Sequence, residues 1–107
     1  MTTNNILHRL SDTLASRRHA DPEKSYAAKL FAEGPDSILK KIGEESAELI
    51  IAAKDGKRLN IVWESTDLIY HILVLLAFYD LGIEDVSQEM RRREGISGID
   101  EKKARAK

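Results

Sequence analysis

The stretch "ESTDLIYHILVLLAFY", residues 64–79, limits the fold more than any other part of the chain. From Leu68 to Tyr79 every residue except His71 is apolar or aromatic. Neither glycine nor proline interrupts the segment from about 58 to 80, so it reads as one long helix. A helix that is apolar nearly all round must be covered on most of its faces. The longest uninterrupted apolar run, "ILVLLAFY" at 72–79, is too short to cross a bilayer, so the cover is expected to be protein. A chain of 107 residues supplies only a small core of its own. Ile69, Ile72, Leu73 and Leu76 spread apolar surface over every face of this helix, and a second copy supplying part of the cover is the expected remedy, most simply as a homodimer.

The rest of the chain repeats the helical signal. Ile6, Leu7, Leu10 and Leu14 recur at helical spacing within 4–18, and "HADPEK" breaks that run. "SYAAKLFAEG" is a short helix stopped by Gly34, and Pro35 suits the first position of the next, with Asp36 at its positive end. That helix runs to about Lys54, where "KDGK" makes a turn with Gly56 as the stop. "IEDVSQEMRRR" is the last clear helix, and the tail over 100–107 is polar and expected to be loose. Strand alternation is hard to find anywhere. The sequence therefore predicts one all-α domain over 1–107, a bundle of four to five helices completed by dimerisation.

Composition removes several classes of function. Lys and Arg total 17 against 18 for Asp and Glu, so no global field draws nucleic acid or an acidic membrane. Without cysteine there is neither a disulfide nor a thiolate zinc site. The polar N-terminus is no signal peptide, and a cytoplasmic location is expected.

The segment "KKIGEESAELIIAAK", residues 40–54, places three glutamates within five positions. At about 100° per residue, Glu44, Glu45 and Glu48 fall within one third of the helix surface. Ile38, Ile42, Leu49 and Ala53 occupy an adjoining arc and should face the core. On the following helix Glu64, Asp67 and His71 form one stripe at i, i+3 and i+7. Asp67 and His71 are expected to point into an interior or a cleft. Like charges at such spacing cost roughly 0.2–0.5 kcal/mol per pair when exposed, and more when desolvated. Carboxylates facing one another across two antiparallel helices need a cation. An all-oxygen set suits Mg²⁺, with Mn²⁺ as a substitute, and Mg²⁺ at such sites shares its coordination with substrate phosphates. Each signal also has a bland reading: a solvated acidic face, His71 bonded to Asp67, Lys41 paired with Glu45, and the arginines of "MRRR" at 90–93 complementing a helix end. Di-iron spacing and a calcium loop are absent.

The motifs "EESAE" and "ESTD" resemble the EExxE…ExxD signature of the all-α nucleotide pyrophosphatase (MazG-like) superfamily. More narrowly, "SYAAKLFAEG", "ILKKIGEESAELIIAAK", "ESTDLIYHILVLLA" and "GISGIDEK" resemble the phosphoribosyl-ATP pyrophosphohydrolase family of histidine biosynthesis, over about residues 25–100. The resemblance implies Mg²⁺-dependent hydrolysis of N1-(5-phosphoribosyl)-ATP to phosphoribosyl-AMP and pyrophosphate. It implies Glu45, Glu48, Glu64 and Asp67 as metal ligands. Glu44 is then a further ligand or the base that activates water, so the catalytic candidates are Glu44 and Glu45. Candidate substrate contacts are Ser25, Tyr26, Lys29, Lys40, Lys41 and His71. No cyclohydrolase motif accompanies these, so that activity, fused in some members, is expected on a separate partner. The competing readings are a house-cleaning (d)NTP pyrophosphatase and a non-catalytic helical dimerisation module.

Overall fold

The computed structural model describes residues 4–106, with backbone only for Asn4 and Asn5. It contains six helices: α1 (Asn4–Ser16), α2 (Tyr26–Glu33), α3 (Pro35–Asp55), α4 (Arg58–Phe78), α5 (Ile83–Arg92) and α6 (Gly98–Arg105). No strand occurs among the described residues, so the all-α expectation holds. The sequence also places residues 1–20 in an N-terminal helical segment; residues 1–3 of it, and Lys107 of the tail, lie outside the described residues.

The hairpin of α3 and α4 is the backbone of the molecule, and each of its helices has 21 residues. Local chemistry sets its ends. Gly34 adopts φ 98°, a conformation costly for other residues, and separates α2 from Pro35 at the start of α3. Gly56 closes α3 in the left-handed region at φ 68°, ψ 23°. Its N–H reaches the Ala53 carbonyl at 3.1 Å, and Lys57 N–H reaches Ala52 at 3.3 Å. The chain then reverses directly into α4.

α1 and α2 lie against this hairpin, and α5 packs against α1. Leu14, Ala27, Leu30, Phe31, Ile38, Leu73, Val74 and Ala77 make the shared core. Ile38 and Val74 have no exposed surface. Arg18 closes one end of the core. Its guanidinium donates to the Phe78 carbonyl at 2.8 Å and lies over the Phe78 ring at 4.4 Å from the centroid. A cation at the C-terminal end of α4 also complements the helix dipole.

Three expectations need correction. The arc proposed for the core on α3 is uneven: Ile38 is buried, Ile42 and Leu49 are half-buried, and Ala53 is exposed. α1 ends at Ser16 rather than continuing to 18. The tail expected to be loose forms α6, one helix more than the four or five anticipated. Ser97 caps it by accepting a hydrogen bond from Asp100 N–H at 3.1 Å. Glu101 then anchors it, buried against Arg92 and with Arg105 Nε 2.8 Å from its Oε1.

Candidate active site

The acidic residues converge where α3 and α4 run antiparallel, and they divide into two linked groups. Nearer the turn, Glu48 and Glu64 line one cleft of about 200 Å³ with Ile51, Ala52, Asp55, Lys57 and Asn60. Glu64 is half-buried, and its Oε1 is sealed from solvent without a hydrogen-bond partner. Its carboxyl is held above the ordinary carboxylate range. Burial is the largest cause, followed by the charge of Glu48, a hydrogen bond shared with Glu48, and the charges of Asp67 and Glu45.

One turn further from the hairpin end, Glu45 meets His71. Glu45 Oε1 lies 2.6 Å from His71 Nδ1, and the same nitrogen lies 2.9 Å from the Asp67 backbone carbonyl. One nitrogen carries one hydrogen. Glu45 Oε1 is itself a sealed oxygen without a hydrogen-bond partner, so the hydrogen is directed to the Asp67 carbonyl. Nε2 lies 2.8 Å from the Tyr26 hydroxyl, which donates to it when the ring is neutral. His71 therefore does bond to Asp67, but to its backbone, while the Asp67 side chain is exposed rather than turned into the interior. Burial first, then the charges of Glu45, Glu33, Asp67 and Glu44, raise the pKa of Tyr26.

The remaining candidates are more scattered. Glu44 is exposed, with Lys41 Nζ 3.9 Å from its Oε1. Lys41 thus pairs with Glu44 at i+3, not with Glu45 at i+4. Lys40 and Lys29 are exposed on α3 and α2. The Ser25 hydroxyl caps α2, accepting from Ala28 N–H at 3.2 Å. The arginines of 90–93 lie on and just beyond α5, where Arg92 and Arg93 pair with Glu89.

Tyr70 was missed in the sequence. Its ring stacks near Tyr26, with 6.2 Å between centroids, and meets His71 edge-on at 5.2 Å. Its one signal was a polar-tipped ring beside His71 in a largely apolar run. A larger cleft of about 460 Å³ lies elsewhere, between α1 and the α4–α5 turn, and none of the predicted site residues lines it.

Two sealed carboxylate oxygens on facing helices accept no hydrogen bond, although His71 Nδ1 stands 2.6 Å from the one on Glu45. A hard divalent cation takes oxygens of this kind, and Glu45, Glu48, Glu64 and Asp67 are the residues that could hold one. As they stand, no three His, Asp or Glu side chains among the described residues form a ready cage. The donor chemistry fits, and closing on an ion needs side-chain rotation.

A family model described as phosphoribosyl-ATP pyrophosphohydrolase matches residues 7–94. The chain is 87% identical over 105 residues to a phosphoribosyl-ATP pyrophosphatase of Dechloromonas aromatica (strain RCB), covering 98% of this chain and 97% of that protein. It is 57% identical over 100 residues to the phosphoribosyl-ATP pyrophosphatase of Azoarcus sp. (strain BH72), covering 94% of each. To the enzyme of that name from Nitrosospira multiformis it is 54% identical over 105 residues, 98% of this chain and 87% of the relative. Helices, facing carboxylates and close relatives agree: the chain belongs to the phosphoribosyl-ATP pyrophosphohydrolase family.

Proposed function

We propose that this chain is a hydrolase converting N1-(5-phosphoribosyl)-ATP to N1-(5-phosphoribosyl)-AMP and pyrophosphate with Mg²⁺, the second step of histidine biosynthesis in the cytoplasm. Family membership supports the reaction. The observation that carries the site is the pair of sealed, partnerless oxygens on Glu45 and Glu64, facing each other's helices.

Glu45, Glu48, Glu64 and Asp67 would hold the cation, and Mn²⁺ would substitute. When bound, it supplies charge neutralisation and Lewis-acid assistance for cleavage of the α–β phosphoanhydride. Glu44, on the exposed edge of the same face, orients the attacking water and takes its proton at the carboxylate. Lys29, Lys40 and Lys41 give mobile point charges to phosphate oxygens. Ser25 and Tyr26 offer hydroxyls from the start of α2. Both nitrogens of His71 are occupied and the ring is buried, so its task is to position Tyr26. The phosphoribosyl-AMP formed is passed on to a cyclohydrolase activity.

The working unit is a homodimer in this reading. Val62, Trp63, Ile69 and Ile72 on α4, and Ile50 and Ile51 on α3, are all exposed in the single chain. Trp63 is 54% exposed, unusual for so large a ring away from an interface. Light scattering at micromolar concentration should give twice the chain mass, and a stable monomer would contradict it.

Incubation of the purified chain with phosphoribosyl-ATP and Mg²⁺ should release pyrophosphate, and EDTA should stop it. Orthophosphate as first product, or full activity in excess chelator, overturns the reading. Faster turnover of a dNTP panel than of phosphoribosyl-ATP would instead assign a house-cleaning nucleotide pyrophosphatase.

A further inference from the structure

A second cleft, of about 220 Å³, adjoins the acidic face on the side of α1 and α2. Leu10, Thr13, Leu14 and Arg17 line it from α1 and the turn that follows, and Ser25, Tyr26, Ala27 and Tyr70 line it from the other side. Its polar groups are hydroxyls and one guanidinium, all able to donate except the Tyr26 hydroxyl, which is engaged with His71. No carboxylate lines it, although the neighbouring wall is built of carboxylates. Arg17 is exposed and forms no ion pair among the described residues. The Ser25 oxygen already accepts the Ala28 N–H, which leaves its O–H to donate outward. Such a set suits a phosphate monoester, with Arg17 as a forked donor.

Tyr26 joins this cleft to the acidic face. Its hydroxyl lies 2.8 Å from His71 Nε2, and His71 Nδ1 lies 2.6 Å from Glu45. A ligand whose triphosphate lies over Glu45 and Glu64 therefore has the cleft within reach of its other end. The cleft is below the roughly 300 Å³ of pockets that enclose a whole drug-sized ligand, so it fits one end of a substrate. Phosphoribosyl-ATP carries, opposite its triphosphate, a ribosyl group ending in a single phosphate.

We propose that the Thr13–Arg17–Ser25–Tyr70 cleft binds the 5-phosphoribosyl end of the substrate, and that Arg17 is the residue that distinguishes this substrate from a plain nucleoside triphosphate. The proposal rests on the acidic face being the triphosphate end, and its test separates the two. In EDTA, ribose 5-phosphate should shift the amide NMR signals of Thr13, Arg17, Ser25 and Tyr70 in the wild-type chain. Arg17→Ala should weaken that binding about tenfold to a hundredfold, the scale of one charge-assisted contact, and Arg17→Lys should recover part of it. In turnover, Arg17→Ala should raise KM for phosphoribosyl-ATP by a similar factor, with a smaller change in kcat. Arg9→Ala, an exposed arginine on the same helix, should match wild type in both assays. Shifts on α3 and α4 instead, no shifts, or equal binding of inorganic phosphate overturns the proposal. So does an unchanged KM in Arg17→Ala, and in that case the reaction itself still stands. A wild-type chain that binds ribose 5-phosphate through Arg17 but releases no pyrophosphate from phosphoribosyl-ATP overturns the reaction and supports the cleft.

Discussion

At the α5–α6 end of the molecule Glu84, Glu89 and Glu101 each meet a guanidinium, whereas on the α3–α4 hairpin Glu48 and Glu64 meet each other. Glu89 takes two bonds from Arg92, at 3.0 and 2.7 Å, and one from Arg93 at 2.9 Å. Those bonds hold its carboxyl down to about 2. Glu84 is lowered likewise, by hydrogen bonds from His8 and Arg91. Glu101 is buried yet has Arg92 and Arg105 beside it, the latter 2.8 Å from Oε1 though off the line of a hydrogen bond. Glu64, by contrast, is pushed upward by burial and by Glu48. Charge density alone does not separate the two regions. What separates them is whether the fold supplies the counter-charge itself. A region that supplies it is structural; one that withholds it, and also seals oxygens from water, is open to a cation from outside.

The largest test of that contrast is removal of single charges from the hairpin. Glu48→Gln and Asp67→Asn keep shape and lose one charge each. Pyrophosphate release should fall by about two orders of magnitude or more, the scale for losing a key electrostatic group. In EDTA both variants should melt at the wild-type temperature or above it, because repulsion is relieved. Mg²⁺ should raise the melting temperature of wild type, since a ligand of the folded state stabilises it by mass action, and should raise that of the variants much less. Retained catalysis with an unchanged Mg²⁺ response would show that the hairpin acids are as structural as those of α5.

A smaller, local effect is expected at the other end. Glu101→Gln removes the charge that Arg92 and Arg105 share. Amide exchange across 98–105 should accelerate while pyrophosphate release stays at the wild-type rate. If turnover fell as it does in Glu48→Gln, the division between the two regions would fail.

The sequence made some of this contrast legible and hid the rest. Pro35, Gly34 and Gly56 act through their own backbone preferences, so the hairpin and its ends could be read directly. The acid stripes could be read because a helical period is a local property, and Glu48 and Glu64 do share a cleft. α6 was missed because no apolar stripe announces it. Its signals are the Ser97 cap, Asp100 and Glu101 in the first turn, and Lys102, Lys103 and Arg105 in the last. Its anchor on Arg92 is a tertiary fact. The Tyr26–His71–Glu45 chain was hidden for the same reason, since it depends on how α2 docks across the hairpin. Asp67 shows the limit of the stripe argument. A helical face fixes direction to within a turn, but it does not fix which side of that face the neighbouring helix covers.

The smallest expected effect concerns pH, and it reads both regions in one titration. Glu64 has a folded pKa above its ordinary 4.5, so between those values the folded state holds more protons than the unfolded chain. Stability of the metal-free protein should then fall as pH rises through the folded value of Glu64, and its contribution is complete below 4.5. Glu89 runs the other way. Its folded pKa of about 2 lies below 4.5, so its contribution is complete above 4.5 and is lost as pH falls towards 2. Melting temperatures in EDTA should therefore rise modestly as pH falls towards 4.5, then drop on further acidification. Glu64→Gln should flatten the first limb and leave the second, and Glu89→Gln should do the reverse. With saturating Mg²⁺ the first limb should change sign, because protons then compete with the cation for the same oxygens. A Glu64→Gln profile parallel to wild type in EDTA would mean that the hairpin carboxylates settle their charge internally after all, as those of α5 do.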